Sequence, residues 1–236
     1  RQLRGGESLH CSLKDLLAGP PIKRWYHLAP QSFEGDMKAA AGKFLSLFTD
    51  SVRLRLRSDV PVGSCLSGGL DSSAIVCVMN GLLRRHSAAA RQKTFSSCSK
   101  IDRFDERQYI DEVVRQTGAD AQYVYPSLGE LFATLDRLTW TQDEPFGSTS
   151  IYAQWNVFRL AAEHQVKVML DGQGADEQLA GYHAYFAPHL GRFLREGQWA
   201  GLWRDLRGLR TIHGYPMSWG IKQLLDNVLP EVARPG

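Results

Sequence analysis

Ser67-Gly68-Gly69-Leu70-Asp71-Ser72-Ser73 is the stretch of this chain best suited to chemistry. Two glycines let a backbone turn sharply and come close to a ligand. The first N–H groups of a helix lack intrahelical partners and carry partial positive charge, which suits a phosphate. Ser67, Ser72 and Ser73 add hydroxyl donors to that cradle. Asp71 would repel phosphate unless a Mg²⁺ sits between them, and magnesium favours one or two carboxylates together with phosphate oxygens. The alternative is a serine-glycine turn with a helix cap, since Ser and Asp are favoured caps. No lysine follows the glycines as a Walker loop requires, and the spacing is not that of the G-x-G-x-x-G dinucleotide fingerprint.

A second polar loop, Asp171-Gly172-Gln173-Gly174-Ala175-Asp176-Glu177, follows the short apolar run Val166-Lys167-Val168-Met169-Leu170. The first loop likewise follows a strand-like run, Val60 to Leu66, and precedes a helix-like one, Ala74 to Met79. Ligands of parallel sheets bind beyond the carboxyl ends of the strands, so one fold can bring both loops to one edge.

The first loop resembles the pyrophosphate loop of the ATP pyrophosphatases, which cleave ATP to AMP and pyrophosphate. Val60 to Ser73 matches V-P-x-G-x-x-L-S-G-G-L-D-S-S of the glutamine-dependent asparagine synthetases. The second loop, with Leu179-Ala180-Gly181-Tyr182, resembles that family's S-G-E-G-x-D-E…G-G-Y segment. The likeness runs from about Arg24 to Tyr185, and two such motifs in the right order are specific. It implies an adenine nucleotide α hydrolase-like α/β fold, a doubly wound and mostly parallel sheet. It also implies that Asp71 and Asp176 hold Mg²⁺ on the pyrophosphate of ATP, with Ser67, Gly68, Gly69, Ser72 and Ser73 forming the phosphate cradle. Cys65 and Leu66 fall at the adenine, Ser97 lines the same pocket, and Gly172 and Gln173 fall at substrate and AMP contacts. The implied reaction is adenylation of a carboxylate, headed by aspartate, followed by attack of ammonia to give an amide. Positioning and charge neutralisation are its main physical demands.

The chain departs from the pattern at Asp171, where the family has serine, and at Gln173, where it has glutamate. Exchanging Glu for Gln removes a charge and adds donors, which weakens the complement to an aspartate ammonium. A relative that amidates another carboxylate, or closes an intramolecular amide ring, is the second enzyme reading; a nucleotide-binding domain without turnover is the third. The family's functional lysine lies in a K-x-x-L-R-type segment further on. Lys222-Gln223-Leu224-Leu225-Asp226 lacks the arginine and comes early, so Lys222 reads as a surface helix residue. That missing lysine and the non-Met start are expected of a fragment. Residues 1–30 are then the end of a glutaminase domain with its linker, 31–190 the synthetase domain, and 191–236 its helical continuation. An upstream glutaminase domain would be the ammonia source, and a homodimer is compatible with this reading.

The 28 basic and 25 acidic residues leave a formal charge of +3, which argues for neither nucleic acid nor a membrane surface. No apolar run reaches membrane-spanning length. Cys11, Cys65, Cys77 and Cys98 form no C-x-x-C pair and read as buried free thiols of a reducing, cytoplasmic compartment. His183 and His189 lack metal-ligand spacing and read as surface residues, with a substrate contact the alternative for His183 beside the second loop. The arginines from Arg192 to Arg210, interleaved with Trp199, Leu202, Trp203, Leu206 and Leu209, predict an amphipathic helix with a basic outer face. Elsewhere the patterning predicts helices over 36–57, 104–116, 128–139 and 151–164 and strands over 93–98 and 121–125. Phe44, Leu47, Phe48, Val52 and Leu54 form the expected apolar face of the first helix. The polar loop from Asp143 to Ser148 is either a border of the substrate pocket or a plain connector.

Overall fold

The computed structural model describes residues 3–12, 14, 19, 21–86 and 91–228. They fall into two units, Arg1–Asp50 and Ser51–Gly236. In the first, β1 (Glu7–Leu9) and β2 (Ile22–Arg24) make a two-stranded antiparallel ribbon. Helix α1 (Met37–Arg55) begins there and ends in the second unit. Asp36 caps it, accepting from the Ala39 N–H at 2.7 Å. Its expected apolar face differs in outcome. Val52 is buried, whereas Phe44, Leu47 and Leu54 are exposed, and Phe44 stacks on Phe48.

The second unit is built on a parallel sheet of β3 (Val62–Cys65), β4 (Lys93–Ser97), β5 (Asp120–Val124) and β6 (Val168–Leu170). Their order is β5-β4-β3-β6. Gly63 lets the sheet pack closely, because an added Cβ would lie 3.0 Å from both the Phe95 ring and a Val166 methyl. Some of the polar groups buried in the sheet are paired across strands, while Thr94 Oγ1 and Gln92 Oε1 have no partner among the described residues. Ser96 Oγ donates to the Leu66 carbonyl at 2.6 Å, and Gln92 Nε2 donates to Ser64 Oγ at 2.9 Å.

Helices cover both faces. α2 (Leu70–His86) joins β3 to β4, and α3 (Arg107–Thr117) joins β4 to β5. α4 (Leu128–Gln142) and α5 (Thr149–Glu163) lie between β5 and β6. Leu66, Val76, Cys98 and Ile110 fill one side of the sheet, and Phe95, Val157, Ala161 and Val166 the other. The doubly wound α/β expectation is met. The helix expected from Phe104 opens later, at Arg107, because Asp102–Phe104 tightens into a 3₁₀ turn. Asp105 then holds Arg107, accepting from its backbone N–H at 3.1 Å and from its guanidinium at 2.6 Å.

The chain runs outward from β3 to β4 to β5, then returns past β3 to lay β6 on its other side. That reversal makes the crevice between the carboxyl ends of β3 and β6 the switch point at which such sheets bind ligands. Both candidate loops leave those two strands.

Past the sheet come α6 (Ala175–Leu179), a 3₁₀ turn at His183–Tyr185, α7 (Phe186–Arg195), α8 (Trp199–His213) and α9 (Met217–Val228). The arginine-rich stretch is therefore two helices rather than one, broken at Gly197, whose φ of 67° lies in the left-handed region. Leu190, Phe193, Leu202, Leu206, Leu209 and Leu224 form the core of this part. Lys222 is exposed on α9. All four cysteines are free, yet only Cys98 is buried; Cys77, expected inside, faces outward from α2. Among the described residues no helix is long and apolar enough to cross a membrane.

Candidate nucleotide site at the switch point

The first loop is shaped from within. Gly68 has φ 85°, and an added Cβ would lie 3.0 Å from Tyr109 Cβ and 3.1 Å from the Glu106 carbonyl oxygen. Only glycine passes there without strain. The Ser72 hydroxyl is the hub of the turn. It accepts from the Ser67 N–H at 3.1 Å, meets Ser67 Oγ at 3.0 Å and donates to the Gly69 carbonyl at 3.2 Å. Ser67 Oγ in turn accepts from the Gly69 N–H at 3.2 Å. Ser72 is buried, Asp71 and Ser73 half-buried, and Ser67 and Gly69 exposed at the head of α2.

The second loop is held from without. Gly174 turns it at φ 91° into α6, whose first turn carries Asp176 and Glu177. Beyond α6 the Gly181 N–H donates to the Asp176 carbonyl at 2.9 Å, and a Cβ at Gly181 would overlap the Asp176 carboxylate. The hydroxyl of Tyr182 donates to Glu177 Oε1 at 3.1 Å, and that of Tyr185 to the Glu177 carbonyl at 3.2 Å. The Glu177 hydrogen bond holds the Tyr182 hydroxyl protonated to higher pH than usual. Gln173 is exposed at the tip, while Gly172 and Asp176 are half-buried.

The loops touch at Gly172. A Cβ there would lie 3.1 Å from both Asp71 Cβ and the Ser72 nitrogen, so the second loop rests on the first turn of α2. A further tie was not foreseen in the sequence. Gln154 Nε2 of α5 donates to Asp171 Oδ2 at 3.1 Å. Asp171 also bears on Cys65 at the end of β3, each being the residue that follows the Ser64–Leu170 pair. Burial pushes the Cys65 thiol up most, and the charge and hydrogen bond of Asp171 push it further. Ser97 ends the neighbouring strand β4, half-buried and level with Val124 of β5. Cys65, Leu66, Ser97, Asp71, Gly172 and Asp171 thus all lie at or just past the carboxyl ends of adjacent strands. Nothing in the local sequence marks Gln154; only the packing of α5 over the sheet brings it there.

Neither Asp71 nor Asp176 is ion-paired among the described residues. These unneutralised carboxylates, one in the first turn of α2 and one in the first turn of α6, are donors of the type a hard divalent cation takes.

Fold and site together define a parallel α/β domain with a glycine-serine loop at its switch point. The profile of the Asparagine synthase family matches residues 43–227, and the chain belongs to that family. A protein of Methanocaldococcus jannaschii, provisionally assigned as a glutamine-hydrolysing asparagine synthetase, is 32% identical over 81% of this chain and 38% of its own length. The glutamine-hydrolysing asparagine synthetase 1 of Bacillus subtilis is 37% identical over 59% of this chain and 21% of its own. The amidase chry2 of Gibberella zeae is 27% identical over 60% of this chain and 22% of its own. The chain thus spans well under half the length of these relatives.

Proposed function

We propose that this chain is the synthetase part of an ATP-dependent, AMP-forming amide ligase. The observation that carries the reading is the contact of Gly172 with Asp71 and Ser72, which supports one shared site for the two loops. In this reading the cradle of Ser67, Gly68, Gly69, Ser72 and Ser73 binds the phosphates of ATP, with Cys65, Leu66 and Ser97 at the adenine. Asp71 and Asp176 would hold Mg²⁺, which supplies charge neutralisation on the departing pyrophosphate when bound. An oxygen of the substrate carboxylate attacks the α-phosphorus, and pyrophosphate leaves as the acyl-adenylate forms. Ammonia then attacks the acyl carbon; AMP leaves, one proton is released and the amide remains. The backbone N–H groups at the head of α2 are oriented before the nucleotide arrives, so little reorganisation is required of them. Gly172 and Gln173 border the acyl group.

Aspartate is the first substrate to test, with ammonia from a glutaminase domain upstream. The synthetase domain would occupy residues 31–190 with a helical continuation to 236, residues 1–30 belonging to the preceding domain and linker. Gln173 favours a second reading, in which the same adenylation serves another carboxylate or an intramolecular ring closure. The likeness to a protein named as an amidase supports it too. Pyrophosphate exchange into ATP, measured with Mg²⁺ and a panel of carboxylates headed by aspartate, separates the two. Exchange with aspartate is the expected result; exchange only with another acid selects the second reading. Silence across the panel with ATP still bound would leave nucleotide binding without this chemistry. Asp71→Asn should abolish Mg²⁺-dependent ATP binding, and unchanged affinity in a calorimetric titration would remove Asp71 from the metal role.

A further inference from the structure

We propose that Ser96 is a positioning residue for the phosphate cradle, acting through the Leu66–Ser67 peptide that joins β3 to it. This role rests on the nucleotide reading of the switch-point crevice. β3 and β4 pair in register as far as Cys65–Phe95, and the Leu66 N–H still donates to the Phe95 carbonyl at 3.0 Å. β4 stays with β5 beyond that level, through Ser97–Val124 and the Cys98 N–H on the Val124 carbonyl at 2.8 Å. The chain after β3 therefore leaves its neighbour at Leu66, and the cradle begins one residue later. At the point where a continuing parallel ladder would bring the Ser97 N–H, the Leu66 carbonyl accepts the Ser96 hydroxyl at 2.6 Å. At the other end of the same peptide the Ser67 N–H donates to Ser72 Oγ at 3.1 Å.

One rigid peptide plane is thus held at both its oxygen and its nitrogen. Its rotation would carry the Ser67 hydroxyl and the turn at Gly68 with it. The clamp on the nitrogen belongs to the loop itself, whereas the clamp on the oxygen comes from another strand, 30 residues along the chain. Ser96 and Leu66 are each 1% exposed, so without that hydroxyl the carbonyl has no replacement donor from solvent. Burial alone does not demand such a pairing. Thr94, two residues earlier on the same face of β4 and fully buried, leaves its Oγ1 without a partner among the described residues. Of these two buried hydroxyls on one strand, only the one level with the root of the cradle is bonded to it.

The test is calorimetric binding of Mg-ATP and of AMP, which lacks the pyrophosphate that the cradle would hold. The proteins are the full chain, Ser96→Ala, Ser96→Cys and, as the control, Thr94→Val, with thermal melts to verify folding. Ser96→Ala should weaken Mg-ATP about tenfold and leave AMP within about twofold, as expected for one lost hydrogen bond felt by the cradle alone. Ser96→Cys keeps a weak S–H donor and should fall between wild type and Ser96→Ala, and it carries the same comparison if Ser96→Ala does not fold. Thr94→Val should bind both ligands as the wild type does. Equal weakening of Mg-ATP and AMP in the Ser96 variants, or a lowered melting temperature with both affinities intact, would overturn the positioning role and leave Ser96 a support of the sheet. An equal loss of Mg-ATP affinity in Thr94→Val would overturn it too. Binding of neither ligand by the wild type would overturn the nucleotide reading and this inference with it.

Discussion

The two loops at the switch point reach the same place by different means. After β3, the turn is fixed by its own serines: Ser67, Gly69 and Ser72 exchange their hydrogen bonds within six residues, and a 17-residue helix follows. After β6, only a five-residue helix follows, and its restraints come from the segment just past it and from α5. Gln154 reaches in from α5, Gly181 backs the Asp176 carboxylate, and Tyr182 and Tyr185 clasp Glu177. His183 next to them meets the Tyr215 hydroxyl at 2.7 Å, and Phe186 packs on the C-terminal leucine core. The first loop closes its hydrogen bonds on itself, whereas the second leans on Gly181–Tyr185, the segment that leads into the C-terminal helices, and moves when that segment moves. The phosphate cradle is therefore the fixed half of the site and the Asp171–Glu177 loop the adjustable half.

The severest trial of that contrast is Leu206→Ala. Leu206 is 4% exposed in the C-terminal core, and its truncation should cost about 2–5 kcal/mol in denaturant unfolding. Hydrogen exchange should then quicken around Tyr182–Tyr185 while the first turn of α2 keeps its protection; equal loss in both would break the distinction. Next in size is Gly181→Ala, whose added methyl displaces the Asp176 carboxylate. Mg²⁺-dependent ATP binding should weaken by about 10–100-fold with little change in melting temperature. Ser72→Ala removes the hub of the first loop. A loss of about 1 kcal/mol in stability is expected, with exchange rising at Ser67–Ser73 and not in the second loop. The mildest change sharpens the picture where the halves meet. Asp171→Ser removes the charge and hydrogen bond that hold the Cys65 thiol protonated, so its pKa falls toward the ordinary range and more thiolate is present at a given pH. Alkylation of Cys65 near pH 8 should quicken severalfold, though burial, the largest cause, remains. An unchanged rate would mean that the second loop does not bear on β3.

Much of this was legible in the residues, and the limits have physical reasons. Strand and helix periods placed the elements within a few residues, because buried runs bounded by glycine and polar loops carry their own punctuation. The glycine at 68 announced a turn that only glycine makes. Gln154 could not be read, since a polar residue on a helix facing a sheet edge has the same local pattern as one facing water. The exposed Phe44, Leu47 and Leu54 show the converse: an amphipathic face states what a helix is able to bury, not whether anything lies against it. Gly197 was visible, yet a single glycine inside a helical pattern is tolerated often enough that the break between α7 and α8 did not follow from it.

The register of β3 has a consequence for how the molecule is made. Ser64 pairs with Thr94 on one side and with Leu170 on the other, so one neighbour is nearby in the chain and the other must wait for most of it. Loop-closure entropy delays such distant pairings during folding. The cradle after β3 therefore matures with the first crossover, and β6 then adds to the free edge of β3 beside it. A nucleotide held there during refolding would be a template on which the last strand docks.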